Sequence, residues 1–403
     1  MRIVQKYGGS SLKDLDLVRM VAARIHKTVQ NGHQVVVVVS AMGDTTDELL
    51  NKALQVDGPS SLSNLDFLMM TGEMQSAALM AMELTRRGCL AQAVSGAQAG
   101  IRTDQVFGQA RIVDVDPKFL ESLLDRGVTP VVTGFQGVSV EGFFTTLGRG
   151  GSDLTAIALA SALKADSCEI YSDVAGVFTA DPRMVPQAKA LEALSYDEML
   201  ELASQGAQVL QTQAVLYARQ SGVTVNARST FESQAGTRIE TLEVDAPRPV
   251  TAVALDTHLT KLGLVGVPDR PGVAARACER LSEAGVNIDL VFQALSHENA
   301  RADIALTVAD RDRPKAVQVC QATLTELGGL ALVVDGDIAK ISAVGFGVRN
   351  HVGVAATLFR SLANAGINIQ MISTSEIKVS CIVARQDAQR ALNQVHDAFG
   401  LDA

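Results

Sequence analysis

Through residue 230, short apolar runs alternate with stretches whose apolar residues recur at helical spacing. The runs predict strands near residues 2–7, 34–40, 89–94, 128–135, 168–173 and 223–229. The periodic stretches predict helices near 12–30, 64–87, 153–164 and 196–205. Val35 to Val39 is unbroken valine, far too short to cross a bilayer and typical of a strand buried on both faces. Such alternation argues for an α/β domain, a largely parallel sheet sandwiched by helices. Leu15, Val18, Ala22, Ile25 and Val29 make one apolar stripe on the first helix. Ser11 is its expected N-cap, with Asp14 three residues on, close to a capping box. Met69, Met70, Met74, Met80 and Met82 read as core packing of a buried helix; a soft binding surface is the alternative.

From 231 to 250 the periodicity fades and Ser, Gly and Pro gather, which predicts a linker. Beyond it the chain repeats itself. Gly272-Val273-Ala274-Ala275 recurs as Gly353-Val354-Ala355-Ala356, an offset of 81 (353 − 272). Leu281, Ala284, Gly285, Asn287 and Ile288 recur at the same offset as Leu362, Ala365, Gly366, Asn368 and Ile369. Each copy reads as β-α-β-β-α-β, the ferredoxin-like order. Two copies indicate duplication, not a solenoid. The expected division is a first domain over 1–230, the linker, and modules over 251–336 and 337–403. The repeated Asn-Ile beside a glycine loop favours a small-ligand edge over a merely structural pair.

Composition narrows the classes. A net charge of −9, dispersed along the chain, argues against nucleic acid or an anionic membrane as partner. Cys89, Cys168, Cys278, Cys320 and Cys381 are odd in number and far apart, with no C-x-x-C pair. That fits a reduced, cytoplasmic setting and not structural zinc. Met1 leads directly into a strand, so no signal peptide is expected.

Two glycine-rich stretches carry the chemistry. Thr145-Thr146-Leu147-Gly148-Arg149-Gly150-Gly151-Ser152-Asp153 lets backbone approach an anion closely, with a guanidinium inside the run and a helix N-terminus behind it. A tight, well-capped loop is the plainer alternative. Lys6 ends the first strand, before Gly8-Gly9-Ser10-Ser11 and a helix, which is a phosphate-binding arrangement with a movable point charge. It matches neither the P-loop nor the dinucleotide fingerprint.

Lys6-Tyr7-Gly8-Gly9-Ser10, Ser40-Ala41-Met42-Gly43, Thr71-Gly72-Glu73, the 148–153 loop and Asp181-Pro182-Arg183 occur in this order in aspartate kinases, which the chain resembles over essentially all its length. These are amino-acid kinases, and the C-terminal third resembles their paired ACT regulatory domains. The resemblance implies transfer of a phosphoryl group from Mg-ATP to the β-carboxylate of L-aspartate, at the start of lysine, threonine and methionine synthesis. No protein-held metal is expected, with Mg2+ carried by ATP. Another kinase of the superfamily, or a silent amino-acid sensor, are the competing readings.

The resemblance also implies roles. Lys6 stabilises the transferring phosphoryl group and Asp153 orients the cationic groups. Tyr7, Gly8, Gly9, Ser10, Ser40, Gly150 and Gly151 surround the phosphates. Ser172, Asp173, Phe178 and Arg183 meet the nucleotide, although Asp181-Pro182 alone makes a turn. For the substrate, Arg149 takes a carboxylate bidentately and Glu73 an ammonium, with Thr46, Gly150, Gly151 and Ser152 beside them. Alone, Glu73 is more often a surface or capping acid; the zwitterionic substrate and the family motif together reverse that. Threonine or lysine is expected at an ACT edge of Asp269, Gly272, Asn287, Ile288, Asp289 and Gln293, the two aspartates meeting its ammonium. Asn368, Ile369 and Glu376 of the second repeat are expected to pack against the first or its copy, giving a homodimer or higher oligomer, with a shorter regulatory chain as a further partner. Departures from the family stand at Gln208 and Gln213, where lysine and arginine are common, at Tyr7, and at Val352 opposite Pro271.

Overall fold

The structure is a computed structural model that describes residues 1–402 except 57–60, 206–208, 233, 243–247, 297–300 and 349–350. It divides into two compact units: Met1–Phe178 with Ala190–Glu243, and Thr179–Lys189 with Val244–Ala403.

The first unit is built on an eight-stranded sheet. Its strands are β1 (Arg2–Tyr7), β2 (Gln34–Val39), β3 (Ala91–Val94), β6 (Thr129–Thr133), β9 (Ser167–Ser172), β10 (Ala193–Ser195), β11 (Val225–Ser229) and β12 (Thr237–Glu240). The order is β10-β12-β11-β9-β1-β2-β6-β3, parallel at every pairing except β11–β12. A smaller sheet, ordered β5-β4-β7-β8, uses β4 (Ile101–Thr103), β5 (Ile112–Val115), β7 (Gln136–Ser139) and β8 (Phe144–Thr146). The helices are α1 (Leu15–Gln30), α2 (Thr45–Val56), α3 (Leu62–Met69), α4 (Thr71–Arg86), α5 (Lys118–Asp125), α6 (Gly151–Ala162), α7 (Tyr196–Ser204) and α8 (Thr212–Ser221).

Alternation along β1 decides the layers. Tyr7, Val35, Val37 and Val39 face a core closed by Val18, Ala22 and Ile25 of α1 and Ala77, Met80 and Leu84 of α4. Lys6 faces the other way, toward α6. Helix α6 is apolar on all sides and buried from Gly151 to Ala160, as a central helix must be. The six strands and four helical regions read from the sequence are all present, with three adjustments. Asp14, not Ser11, caps α1, its carboxylate accepting from Leu17 N at 2.9 Å. Ser11 is buried instead, bonded to Thr230 at 2.7 Å. The long helix near 64–87 breaks at Met70 into α3 and α4. Met69, Met70 and Met80 are core, but Met74 and Met82 are exposed.

The second unit holds two four-stranded sheets. The first, ordered β15-β16-β14-β17, comprises β14 (Leu259–Pro268), β15 (Ile288–Ser296), β16 (Arg301–Ala309) and β17 (Ala331–Asp335), with α9 (Val273–Glu283) and α10 (Arg313–Leu327). The other, ordered β13-β18-β20-β19, comprises β13 (Ala252–Asp256), β18 (Ile338–Val344), β19 (Met371–Thr374) and β20 (Lys378–Ala384), with α11 (Val354–Asn364) and α12 (Ala388–Ala398). Each is antiparallel and covered by its two helices, as the β-α-β-β-α-β reading requires. Gly272 and Gly353 cap α9 and α11 at φ 95° and 105°, so the sequence repeat is a backbone repeat. The expected boundaries are crossed twice. Strand β13 pairs with β18, taking beside it the place that β17 takes beside β14, although residues 251–336 were expected to form the first module. Residues 179–189 leave the first unit, and Ala180 and Val185 lie in the core of the second sheet. No helix among the described residues is long and apolar enough to cross a membrane.

Candidate active site

Three turns build the site: residues 8–11 after β1 and 41–43 after β2, which pack together, and the glycine loop that opens α6. Lys6 Nζ lies 2.6 Å from Asp153 Oδ1 in the first turn of α6, and both side chains are about nine-tenths buried. Beside them Gly8 N donates to Tyr171 O at 3.1 Å. A Cβ on Gly8 would come 3.5 Å from Lys6 Nζ. Gly9 is tighter: a Cβ there would meet Ala41 O at 2.9 Å. The residue must therefore be small for the first turn to seat against Ala41–Gly43. Ser10 is exposed, and its Oγ is 3.5 Å from Asp173 Oδ1, past the end of β9.

Glu73 enters from α4. Gly72 lets the helix approach, since a Cβ there would stand 2.9 Å from that of Ala41. Glu73 is 3% exposed; its Oε1 accepts from Ala41 N at 3.1 Å, and its Oε2 is buried with no hydrogen-bond partner. Burial pushes its carboxyl up to about 7, against the two backbone hydrogen bonds that favour the charged form. Thr46 is in the first turn of α2, half-buried, and Ser40 follows β2, its N–H donating to Tyr7 O.

The third turn is the glycine loop. Gly148 and Gly150 have φ of 75° and 76°, and Gly150 is the N-cap of α6. Asp153 therefore serves the ion pair and not the cap. A side chain on Gly150 would collide with that of Gln211. Gly151 packs against Phe135, and Gly134 against Ser152. Phe135 itself sits at φ 70°, a strained conformation for an aromatic residue. Its carbonyl accepts from Leu147 N at 2.9 Å. Arg149 is exposed, with no hydrogen bond or ion pair among the described residues.

The structure thus brings Lys6, Gly8, Gly9, Ser40, Glu73, Gly151, Ser152 and Asp153 into one continuous patch, with Arg149 on its rim. Tyr7 does not join it. Its ring is wholly buried and stacked on Tyr171 at 4.8 Å, because strand alternation sends it to the face opposite Lys6. Ser172 ends β9 and accepts from Val174 N, and Phe178 bridges to Ala190. Arg183 lies on the 179–189 segment of the second unit, where its guanidinium forks onto Asp181. Gln213 is exposed on α8, and Gln208 lies outside the described residues. Sequence reasoning missed Phe135 and Gln211. The Gly134-Phe135-Gln136-Gly137 run at a strand end was the available signal for the first.

Residues 1–226 match the amino acid kinase family. Residues 264–319 and 341–399 each match an ACT domain. The aspartokinase of Mycolicibacterium smegmatis is 46% identical over 404 residues, covering 99% of this chain and 96% of that protein. The chain belongs to the aspartokinase family. Among solved aspartokinases, E. coli aspartokinase III with aspartate and ADP, described as the R-state, is similar at a TM-score of 0.78 and 26% identity. That likeness covers 99% of this chain and 100% of the other. The same enzyme with lysine and aspartate, described as the T-state, gives 0.78 and 26%, over 98% and 99%. As an aspartokinase the chain is a phosphotransferase, and its ACT domains imply allosteric control.

In the ACT unit of this aspartokinase the expected effector residues occupy one corner of the first sheet. Asp269 and Gly272 are exposed in the loop between β14 and α9. Asn287, also exposed, precedes β15, which carries Ile288, Asp289 and Gln293. Asp289 is already engaged. Both its oxygens lie 2.7 Å from Lys340 Nζ, and Oδ2 also accepts from Thr307 at 3.1 Å. Lys340 is 1% exposed while the Asp289 side chain keeps 27%, so a buried ammonium meets a carboxylate nearer the surface. Asn368 and Ile369 precede β19, and Glu376 is exposed in the β19–β20 turn.

Proposed function

We propose that this aspartokinase transfers the γ-phosphoryl group of ATP to the β-carboxylate of L-aspartate, with Lys6 at the reacting phosphorus and Glu73 and Arg149 holding the amino acid. The observation that carries the reading is the unpartnered, buried Oε2 of Glu73. A buried carboxylate oxygen without a donor is costly, and an α-ammonium supplies both the charge and the hydrogen bonds it lacks. Exposed Arg149 takes the α-carboxylate in a bidentate fork.

The aspartate β-carboxylate is ionised near neutral pH, so no general base is required. One of its oxygens forms a bond to the γ-phosphorus while the bond to the β,γ-bridging oxygen breaks, and that oxygen leaves with the electron pair as part of ADP. The product is 4-phospho-L-aspartate. Mg2+ bound with ATP screens the phosphate charge. Lys6 contributes a buried positive charge where negative charge shifts in the transition state. Asp153 keeps its ammonium aimed. Gly8, Gly9, Gly150 and Gly151 leave room for phosphate oxygens beside backbone N–H groups.

The ACT unit reads as the receiver of a pathway end product, lysine or threonine, in a dimer or higher oligomer. The lysine complex of the E. coli relative supports lysine first. With Asp289 paired internally, Asp269 is the acid left for the effector ammonium. Five unpaired cysteines fit a cytoplasmic enzyme.

The test is aspartate-dependent ADP release under Mg-ATP, with hydroxylamine trapping the acyl phosphate. Glutamate should react on the order of a hundredfold more slowly, because one extra methylene displaces the attacking oxygen. Absence of aspartate-dependent ADP release overturns the reading.

A further inference from the structure

We infer that Asp66 is a positioning residue that fixes the loop presenting Arg149 to aspartate, an inference that rests on the reading of Arg149 above. Asp66 lies on α3, 2% exposed. Its Oδ2 accepts from Gly108 N at 2.9 Å and from Thr146 N at 2.8 Å, and its Oδ1 accepts from Thr146 Oγ1 at 2.8 Å. Three donors therefore hold a buried charge that needs such donors to be tolerated.

Those donors are the two chain segments that meet at the glycine loop. Thr146 ends β8, three positions before Arg149. Gly108 faces Gly148 across the turn: a Cβ on Gly148 would stand 3.2 Å from Gly108 O. Gly148 is held at φ 75°, where the direction of the chain toward Arg149 is set. One carboxylate thus ties the incoming strand to the segment against which the turn rests. The adjacent residues are fixed independently. Thr145 Oγ1 is 2.6 Å from Thr103 Oγ1, and Leu147 N donates to Phe135 O. Thr146 itself is also held by its β7 pairing and by Ala110 N, which donates to its carbonyl at 2.9 Å, so Asp66 acts with these bonds in setting Thr146 and the turn that follows. Arg149, exposed and without a partner among the described residues, depends on that backbone for its position. A displacement of about 1 Å at such a site costs up to a hundredfold in rate.

Asp66→Asn tests this, because it removes the charge from all three hydrogen bonds and turns an amide nitrogen toward Thr146 Oγ1, which must then accept instead of donate. The expected result is a rise of about tenfold in aspartate KM, the scale of trading charge-assisted hydrogen bonds for neutral ones. The ATP KM should be unchanged and kcat should hold within about twofold, since Lys6 and Asp153 are fixed by β1 and α6. The decisive arm repeats the substitution in an Arg149→Ala background, where it should add less than about twofold. Thr146→Val, which removes only the hydroxyl donor, should show a smaller shift with the same dependence on Arg149 and stands in if Asp66→Asn fails to fold. An equal factor in both backgrounds, or a fall in kcat with unchanged KM, overturns the inference alone. An unchanged aspartate KM in Arg149→Ala overturns the reading of Arg149 first, and this inference with it.

Discussion

Glu73 in the kinase unit and Asp289 in the ACT unit are both acids that the sequence nominates for an amino-acid ammonium. Their surroundings differ. Glu73 has one oxygen on a backbone N–H and the other without a donor, and burial raises its carboxyl to about 7. Asp289 has both oxygens on the ammonium of Lys340 and a hydroxyl from Thr307 besides. The first acid is costly until a cation arrives; the second already has its cation, supplied from β18. Motif position nominates an acid for binding. Whether its charge is available depends on which side chains folding brings to it from distant parts of the chain.

The lysine–carboxylate pairs provide the strongest test. Lys6–Asp153 and Lys340–Asp289 have nearly the same separation, 2.6 and 2.7 Å, yet only the first lies at the proposed phosphoryl site. Lys6→Ala should lower kcat by about a thousandfold, the scale of losing one preorganised group that stabilises transition-state charge. Steady-state kinetics check it; a change confined to KM would remove Lys6 from that role.

Next is Glu73→Gln, which should raise aspartate KM about a hundredfold by deleting the charge that meets a desolvated ammonium. It should also stabilise the protein at pH 8. The sign follows from the raised carboxyl: the folded form keeps a proton that the unfolded chain releases near 4.5. The stability this confers is complete below 4.5 and is lost as pH rises through about 7, a difference of about 3 kcal/mol. The gap between the melting temperatures of wild type and Glu73→Gln should therefore open in favour of the variant as pH rises from about 4.5 to about 7, hold above 7, and close toward pH 5. In the wild type, kcat/KM for aspartate should fall below pH 7 as Glu73 takes up its proton.

Asp289→Ala should destabilise the ACT unit by about 3 kcal/mol, because it leaves Lys340 buried without a counter-charge. Adding Lys340→Met should restore most of that loss, as read by denaturant unfolding. An Asp289→Ala variant that unfolds like wild type would show that the pair does not serve stability. For this reason Asp289 is a poor probe of effector binding. The smallest effect is expected at Asp269→Ala, which should weaken lysine or threonine inhibition several-fold while uninhibited kcat stays within about twofold, the behaviour of a rim charge.

Much of this architecture was legible in the chain. The valine run, the stripe on α1 and the 81-residue repeat each follow from periodicity, and periodicity survives folding because it is what the core selects. Glycine spacing located two of the turns that form the site. Helix α2 was missed although Leu49, Ala53 and Val56 recur at helical spacing, and folding buries only Leu49 of them. The β13–β18 pairing was hidden because pairing partners in a sheet follow no sequence period. Tyr7 was misassigned by motif position, although strand alternation from Lys6 already sent its ring to the opposite face. Asp66 and Lys340 act through contacts with residues distant in sequence, and no local pattern marks them.

The central claim is that the unpaired carboxylate of Glu73 receives the aspartate ammonium. Calorimetric titration of aspartate at pH 7, repeated in buffers of different ionisation enthalpy, counts the protons exchanged on binding. Because Glu73 titrates at about 7 in the free protein and must be ionised to pair, about half a proton should be released per aspartate bound. Glu73→Gln should abolish that release. Aspartate binding with no proton release in wild type, or with the same release in Glu73→Gln, would contradict the account.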